Sequence, residues 1–394
     1  MSLPKLRFPE FLDSGEWEDK ELKDACQMQA GKFIRATEIQ ELENKGLYSC
    51  YGGNGLRGYT KSFTHDGKYA LIGRQGALCG NITLAEGKFH ATEHAVVSTP
   101  RKGVVVTDWL FYKLVFLNLN QYATGQAQPG LSVENLGKVS IQIPTPKEQQ
   151  KIADCLSSIN DRITLEAQKL DTLKVHKKGL MQQLFPAEGE TLPKLRFPEF
   201  RDVEEWEEQK LGSLVEIFSG DAPSSYKLSS AYGCPYVKVE DMNNCSKYQS
   251  ISREYADKST KNLPTGSVIF PKRGAAIMGN KVRIAAVPFY IDSNMMALFP
   301  QKKSFLLPEF LYYLVLTQQL SKIADTSSIP QINNKHIIAY TVKIPSPPEQ
   351  KKIADCLSSL DELITAQAQA IDTLKTHKKG LMQQLFPSVE EVKG

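Results

Sequence analysis

The stretch KIADCLSSINDRITLEAQKLDTLKVHKKGLMQQLFP, Lys151 to Pro186, returns 201 positions later as KIADCLSSLDELITAQAQAIDTLKTHKKGLMQQLFP, Lys352 to Pro387. In the first copy Ile152, Leu156, Ile159, Ile163, Leu170, Leu173, Leu180 and Leu184 step by threes, fours and sevens. This is the a/d seam of a helix sustained over about five heptads. The second copy keeps it at Ile353, Leu357, Leu360, Ile364, Ile371, Leu374, Leu381 and Leu385. Each helix should run about 55 Å at 1.5 Å per residue. Pro144 and Pro146, like Pro345, Pro347 and Pro348, stand at the helix starts, where a missing N–H costs nothing, and Pro186 and Pro387 end them. One such seam suits a buried core stripe or a homodimer zipper. Two matching seams in one chain can instead pair with each other, and an antiparallel pairing gives an approximate twofold axis. Lys177 and Lys378 fall on seam positions near the helix C-termini, where a lysine can snorkel and favour the local dipole, so both read as structural.

A second repeat lies outside the first. LPKLRFPEF occurs at Leu3–Phe11 and again at Leu192–Phe200, and each copy is soon followed by Glu-Trp, at Glu16-Trp17 and Glu205-Trp206. These copies start 189 positions apart, so the segment between the two repeats is 12 residues longer in the second half. The order is variable segment, helix, variable segment, helix. We read an α+β chain with globular domains over 1–146 and 187–347, spacer helices over 147–186 and 348–387, and a tail over 388–394. A length of 394 residues suits two such cores.

The variable segments alternate short β-type runs with glycine turns, and each holds one apolar helix candidate, Asp108–Gln121 and Pro308–Leu320. The candidates match in register, Trp109 with Phe310 and Tyr112 with Tyr313, so the segments read as diverged copies of one fold. RQGALCGN at Arg74–Asn81 and RGAAIMGN at Arg273–Asn280 share a basic, Gly-Ala, Gly-Asn pattern that suits a hairpin turn.

After that turn in the second half, Lys281 and Arg283 alternate with Val282 and Ile284, which predicts a strand with one basic and one apolar face. With Lys272, Arg273 and Asn280 this makes a candidate phosphate and base contact; the competing reading is an edge strand blunted by lysine. The first half offers Arg57, Lys61, Arg74 and Gln75 with Tyr51, Asn54, Tyr59 and Asn81. Arg, Asn and Gln can hydrogen-bond base edges bidentately. Lys238 and Asn243 from YVKVEDMNN, and Gln331, Asn333 and Lys335 from PQINNKH, complete the candidate DNA-binding set. Against 44 Asp+Glu the 48 Lys+Arg leave a net charge of only +4, so a nucleic-acid surface must be local.

Other chemistries find little support. YGGNGLRGYT, Tyr51–Thr60, matches Gly-x-Gly-x-x-Gly, but a dinucleotide fingerprint needs a helix after the glycines and a carboxylate about 20 residues on, and neither follows. It reads as a turn-rich loop of the first variable segment. HATEH, His90–His94, has the spacing of an inverted zinc motif, but Thr92, Val96, Val97 and Thr99 favour a strand over the helix that motif requires. SPPE at Ser346–Glu349 has Glu349 where a methyltransferase motif would carry an aromatic. Neither a Walker loop nor a Gly-x-Ser-x-Gly elbow occurs, so no catalytic residue and no bound cofactor or metal is expected in this chain. Seven cysteines without a Cys-x-x-Cys suit free thiols in a reducing cytosol, and with no 18-residue apolar run the protein is expected to be soluble, with no membrane partner.

Two β-rich segments, each followed by a helix that begins P-x-x-EQ-x-x-IA-x-x-L and ends GLMQQLF, resemble the specificity subunit of type I restriction-modification systems. The helix start lies at Pro146–Leu156 and again at Glu349–Leu357 behind Pro347 and Pro348. The resemblance implies a non-catalytic, cytoplasmic prokaryotic subunit whose two target-recognition domains each read half of a gapped, asymmetric duplex DNA target, while the antiparallel coiled coil sets the gap. It also implies docking of two methyltransferase subunits, which carry S-adenosylmethionine, and of restriction subunits, which use ATP and Mg. A coiled-coil scaffold that joins proteins without touching DNA is the alternative.

Overall fold

The computed structural model describes residues 3–76, 78–125, 129–257, 262–325 and 329–387; the expected tail over 388–394 lies outside them. The chain forms two compact units, one from Met1–Glu166 with Ala370–Gly394, the other from Ala167–Gln369. Each unit therefore holds one variable segment, the start of the helix that follows it, and the end of the other helix.

The two long helices run Pro146–Leu184 and Pro347–Leu385, 39 residues each. Both begin on a proline, one residue earlier than read from sequence, because the first helical position needs no N–H donor. Within the first unit Ile152, Ala153 and Leu156 share a core with Met382, Leu385 and Phe386. Further along, Lys378 Nζ donates to Asn160 Oδ1 at 2.9 Å. Within the second unit Ile353, Ala354 and Leu357 share a core with Leu184 and Phe185, and Lys177 Nζ pairs with Asp361 Oδ1 at 2.5 Å. In each unit the partner position falls as the other rises, so the two helical segments run antiparallel there. Lys177 and Lys378 are structural, each held by a contact to the facing helix.

The quoted repeats converge at one place in each unit. In the first, Arg7 Nε and Nη2 donate to the two carboxylate oxygens of Glu148 at 2.8 Å each, and Trp17 Nε1 reaches Glu148 Oε1 at 3.2 Å. In the second, Arg196 makes the same two bonds to Glu349 at 2.8 Å, joined by Trp206 Nε1 at 3.3 Å. The neighbouring glutamines are equally committed. Gln149 accepts from Val106 N and donates to Val104 O and Pro144 O, each at 2.8 Å. Gln350 accepts from Leu307 N at 3.0 Å and donates to Pro345 O at 2.9 Å. The LRFPEF arm also meets the GLMQQLF helix end, since Leu6 N donates to Gln384 O and Leu195 N to Gln183 O, both at 2.9 Å. Phe386 packs on Trp109, and Phe185 on Trp206 and Phe310, with ring centroids 5.4–6.2 Å apart. Such aromatic contacts add about 0.5–1.5 kcal/mol beyond their burial.

The variable part of the first unit has a four-stranded antiparallel sheet, in the order Cys26–Ala30, Ala95–Pro100, Tyr69–Gly73, Ile82–Ala85. A second sheet orders Gly55–Thr60, Tyr48–Gly52, Lys88–Ala91, His65–Asp66. In the second unit Val215–Ser219, Met295–Pro300, Val268–Pro271, Arg283–Ala285 and Tyr248–Gln249 form the larger sheet. Leu228–Ser229, Tyr255–Ala256, Cys234–Val237 and Tyr290–Ile291 form the smaller one. Apolar helix Thr107–Leu117 packs on the sheet that holds Tyr69–Gly73, and Pro308–Gln318 on the five-stranded sheet. Both stop earlier than read from sequence, at residues with positive φ, Asn118 (48°) and Gln319 (57°), before short further turns. Strands Glu18–Glu21 and Glu207–Lys210 pair with Ser140–Ile143 and Thr341–Ile344, tying the chain after each tryptophan to the strand before each long helix.

Candidate nucleic-acid interface

YGGNGLRGYT is a β-hairpin: Tyr48–Gly52 and Gly55–Thr60 pair antiparallel around a two-residue turn at Gly53-Asn54. Gly55 closes the turn in the left-handed region (φ 85°), and a Cβ on Gly58 would lie 2.4 Å from the Gln40 carbonyl oxygen. The glycines thus serve turn geometry and close backbone approach, not a phosphate cradle. The hairpin tip, with Gln75, Gly76, Leu78 and His94, lines a depression of about 590 Å³.

The candidate residues of the first unit separate here. Asn54, Arg57 and Gln75 line the depression, and Asn81 joins them by donating to Asn54 Oδ1 at 2.9 Å. Arg74 is half-buried beside Gln75; Lys61 is exposed on the chain beyond the hairpin. The Tyr51 ring packs edge-on against Phe89, 5.7 Å between centroids, inside a small apolar cluster. Tyr59 pairs through its backbone with Gln40. His94, weighed in the sequence only as a zinc ligand, lies in the depression with Nδ1 2.9 Å from Gln75 Oε1. His90 lies in the strand Lys88–Ala91, held by Ser62 Oγ at 3.0 Å and Lys32 O at 3.1 Å. Among the described residues no group of three or more His, Cys, Asp or Glu could hold a metal, and no helix is long and apolar enough to cross a membrane.

In the second unit the expected basic strand face is not formed. The strand begins only at Arg283, leaving Lys281 in the preceding loop. The cause is Asn280, at φ 43°, whose carboxamide donates to Leu316 O at 2.8 Å and accepts from Leu320 N at 3.0 Å, anchoring the turn to the helix end. The Arg283 guanidinium is spent on the carbonyls of Met242 and Val282 at 2.8 Å and Cys245 at 2.9 Å. It braces the loop that carries Asn243, and Lys281 Nζ donates to Asn243 Oδ1. Lys238 forms an ion pair with Glu254 and lies 5.9 Å from the Tyr236 ring centroid. Asn333 caps the helix Asn334–Ala339 through a reciprocal capping box, with Lys335 exposed in its first turn.

Lys272, Arg273 and Gln331 do come together, since Arg273 and Gln331 form a β-bridge and Ile332 N donates to Lys272 O at 2.9 Å. Lys272 is half-buried; burial, reinforced by Arg273, lowers its pKa from the ordinary lysine value. Arg273 is exposed. This loop pair has its counterpart in the first unit, where Gln75 bridges Gly130 and Leu131 N donates to Arg74 O at 2.8 Å. The structural register therefore matches Arg74 with Lys272 and Gln75 with Arg273, one residue off the pairing of arginines suggested by the sequence.

Comparison with known proteins agrees with the repeat. A family model described as the type I restriction modification DNA specificity domain matches residues 14–175 and 203–376. The EcoprrI type I restriction enzyme specificity subunit of Escherichia coli is 45% identical over 149 residues, 38% of this chain and 37% of that protein's length. The MjaVIII specificity subunit of Methanocaldococcus jannaschii is 24% identical over 413 residues, 98% of this chain and 95% of that one. A crystal structure of a type I restriction-modification S subunit from M. genitalium shares the fold, with TM-score 0.64 and 16% identity over 98% of this chain and 100% of that one.

Proposed function

We propose, from the premise that this chain belongs to the type I restriction-modification DNA specificity family, that each unit reads one half of an interrupted, asymmetric duplex DNA target. The family's part in restriction-modification is DNA sequence recognition. Specificity subunits are themselves non-catalytic, methylation and cleavage residing in the M and R subunits they work with. In this reading the helices pair as an antiparallel coiled coil with an approximate twofold axis and set the gap between half-sites. Two methyltransferase subunits dock on the complex, bring S-adenosylmethionine, and flip an adenine from each half-site; restriction subunits bring ATP and Mg.

The observation that carries this reading is the duplicated latch of Arg7 and Trp17 on Glu148, and of Arg196 and Trp206 on Glu349. Two units with the same frame can present two different sets of exposed loops. Readers held one or more helical turns of DNA apart, about 34 Å each, would reach separated half-sites. The two variable segments differ in sequence, which supports unlike half-sites. A gel shift on duplex DNA with the methyltransferase subunits present tests the reading. Sequence-selective retardation is expected; assembly of the subunits with no DNA shift would favour a coiled-coil scaffold instead.

A further inference from the structure

We propose that Gln75 and His94 in the first unit, and Arg273 and Asn294 in the second, occupy one equivalent reading position and select the base that each unit requires there. This deepens, and rests on, the reading of both units as DNA readers.

The equivalence comes from the backbone. Arg74 N donates to His94 O, Gly76 N to Pro129 O and Leu131 N to Arg74 O, at 2.8–3.0 Å. In the second unit Lys272 N donates to Asn294 O, Gly274 N to Pro330 O and Ile332 N to Lys272 O, at 2.8–2.9 Å. The same three bonds tie the same three loops beside the same central strand, Tyr69–Gly73 in one unit and Val268–Pro271 in the other. On this retained frame the side chains differ in hydrogen-bonding character. A glutamine bonds a histidine in one unit; an arginine and an asparagine hold the corresponding chain positions in the other.

Two of the four, Gln75 and Arg273, are open to solvent where their neighbours are not. Asn280, Arg283 and Asn333 are spent on backbone groups, whereas Gln75 and Arg273 are exposed. His94 Nδ1 lies 2.9 Å from Gln75 Oε1 and its Nε2 3.2 Å from Glu93 Oε1. A hydrogen bond from the ring would occupy one lone pair of the Gln75 oxygen, leaving its second lone pair and its NH2 to meet a base at the rim of the depression. Asn294 is likewise fixed, its Nδ2 donating to Asp292 Oδ1 at 2.7 Å. Polar groups carried on a hydrogen-bonded backbone frame suit sequence reading. Arginine pairs bidentately with guanine O6 and N7, and glutamine or asparagine with adenine N6 and N7, so homologous readers with these exchanges should demand different bases.

The test is the methylation motif of the whole methyltransferase complex carrying Gln75→Arg with His94→Asn, or the reciprocal Arg273→Gln with Asn294→His. Each double variant should change the base requirement at one position of one half-site, leaving the other half-site and the gap intact. Binding to the wild-type target should fall about 10-fold to 100-fold, the size expected for one bidentate base contact. A wild-type motif carried unchanged by both variants overturns the inference. A wild-type complex that yields no interrupted motif sinks the underlying reading instead. Should an exchange abolish methylation, Gln75→Ala decides: a relaxed requirement at one position supports the inference, and an unrelaxed one overturns it.

Discussion

Arg7 and Glu148, 141 positions apart, meet in a two-pronged hydrogen-bonded ion pair that leaves only 7% and 1% of their side chains exposed. Arg196 and Glu349 repeat it with 8% and 1%. Each pair seats the arm of LRFPEF on the first turn of a long helix, with tryptophan Nε1 as a further donor to the same carboxylate. Removing one partner of a buried pair strands a charge, at a cost of about 3–5 kcal/mol. Glu148→Ala and Glu349→Ala should each lower the melting temperature of the full chain strongly, whereas Arg7→Met combined with Glu148→Leu should recover much of the loss. Melting of Glu148→Ala with the wild type would show that the latch does not hold the unit.

Lys113 is fully buried on the apolar helix Thr107–Leu117, 3.4 Å from Gln142 Oε1 and 5.5 Å from the centroids of Phe116 and Phe386. Burial pulls its pKa down to about 7, against a smaller opposing pull from Asp19. The unfolded chain holds this proton up to the ordinary lysine pKa, about 10.4, while the folded chain releases it near 7. Stability should therefore rise with pH between those values and carry the full penalty below pH 7. The second unit has Leu314 at the matching position. Lys113→Leu should stabilise the chain by on the order of 1–4 kcal/mol at pH 7, the gain shrinking toward pH 10. Thermal melts across that pH range check both sign and slope.

The repeat also differs where each helix-end lysine meets the facing helix. Lys177 meets Asp361, which also accepts from Tyr313 Oη at 2.6 Å, while Lys378 meets Asn160. Asp361→Asn should make the second site resemble the first and cost about 1 kcal/mol or somewhat more, since a charge-assisted bond is lost. Asn160→Asp should gain up to about 1 kcal/mol by giving half-buried Lys378 a carboxylate partner. Denaturant midpoints with unchanged slopes read both.

Lys281 and Arg283 should behave differently despite their alternation in sequence. Lys281→Ala is expected to flatten the salt dependence of DNA binding by about one counterion or less. Arg283→Ala should instead lower stability, because its guanidinium ties the Met242 and Cys245 carbonyls. Salt titrations beside thermal melts separate the two effects, and an unchanged slope for Lys281→Ala removes it from the interface.

The seam, the repeat and the four-part order were legible because they depend on local period and on identity between copies. The ranges of the long helices differ from the reading by one or two residues, since prolines mark both ends. The roles of Glu148 and Gln149 were not legible. Glu148 finds Arg7 and Trp17 more than 130 positions away, and Gln149 finds Val104 and Val106 across the fold. Among candidate contacts, residue type alone could not tell exposed Gln75 and Arg273 from Asn280 or Asn333, whose amides serve turns and caps. His94 has no local signal beyond HATEH, because its neighbour Gln75 arrives from another loop.

Reading of a divided target by the two units is tested most directly by the methylome of a host lacking other modification systems, carrying this chain with its methyltransferase subunit. Adenine methylation is expected at one interrupted, asymmetric motif, with unlike half-sites separated by a fixed gap. Absence of any motif, or a continuous palindrome, would contradict that reading.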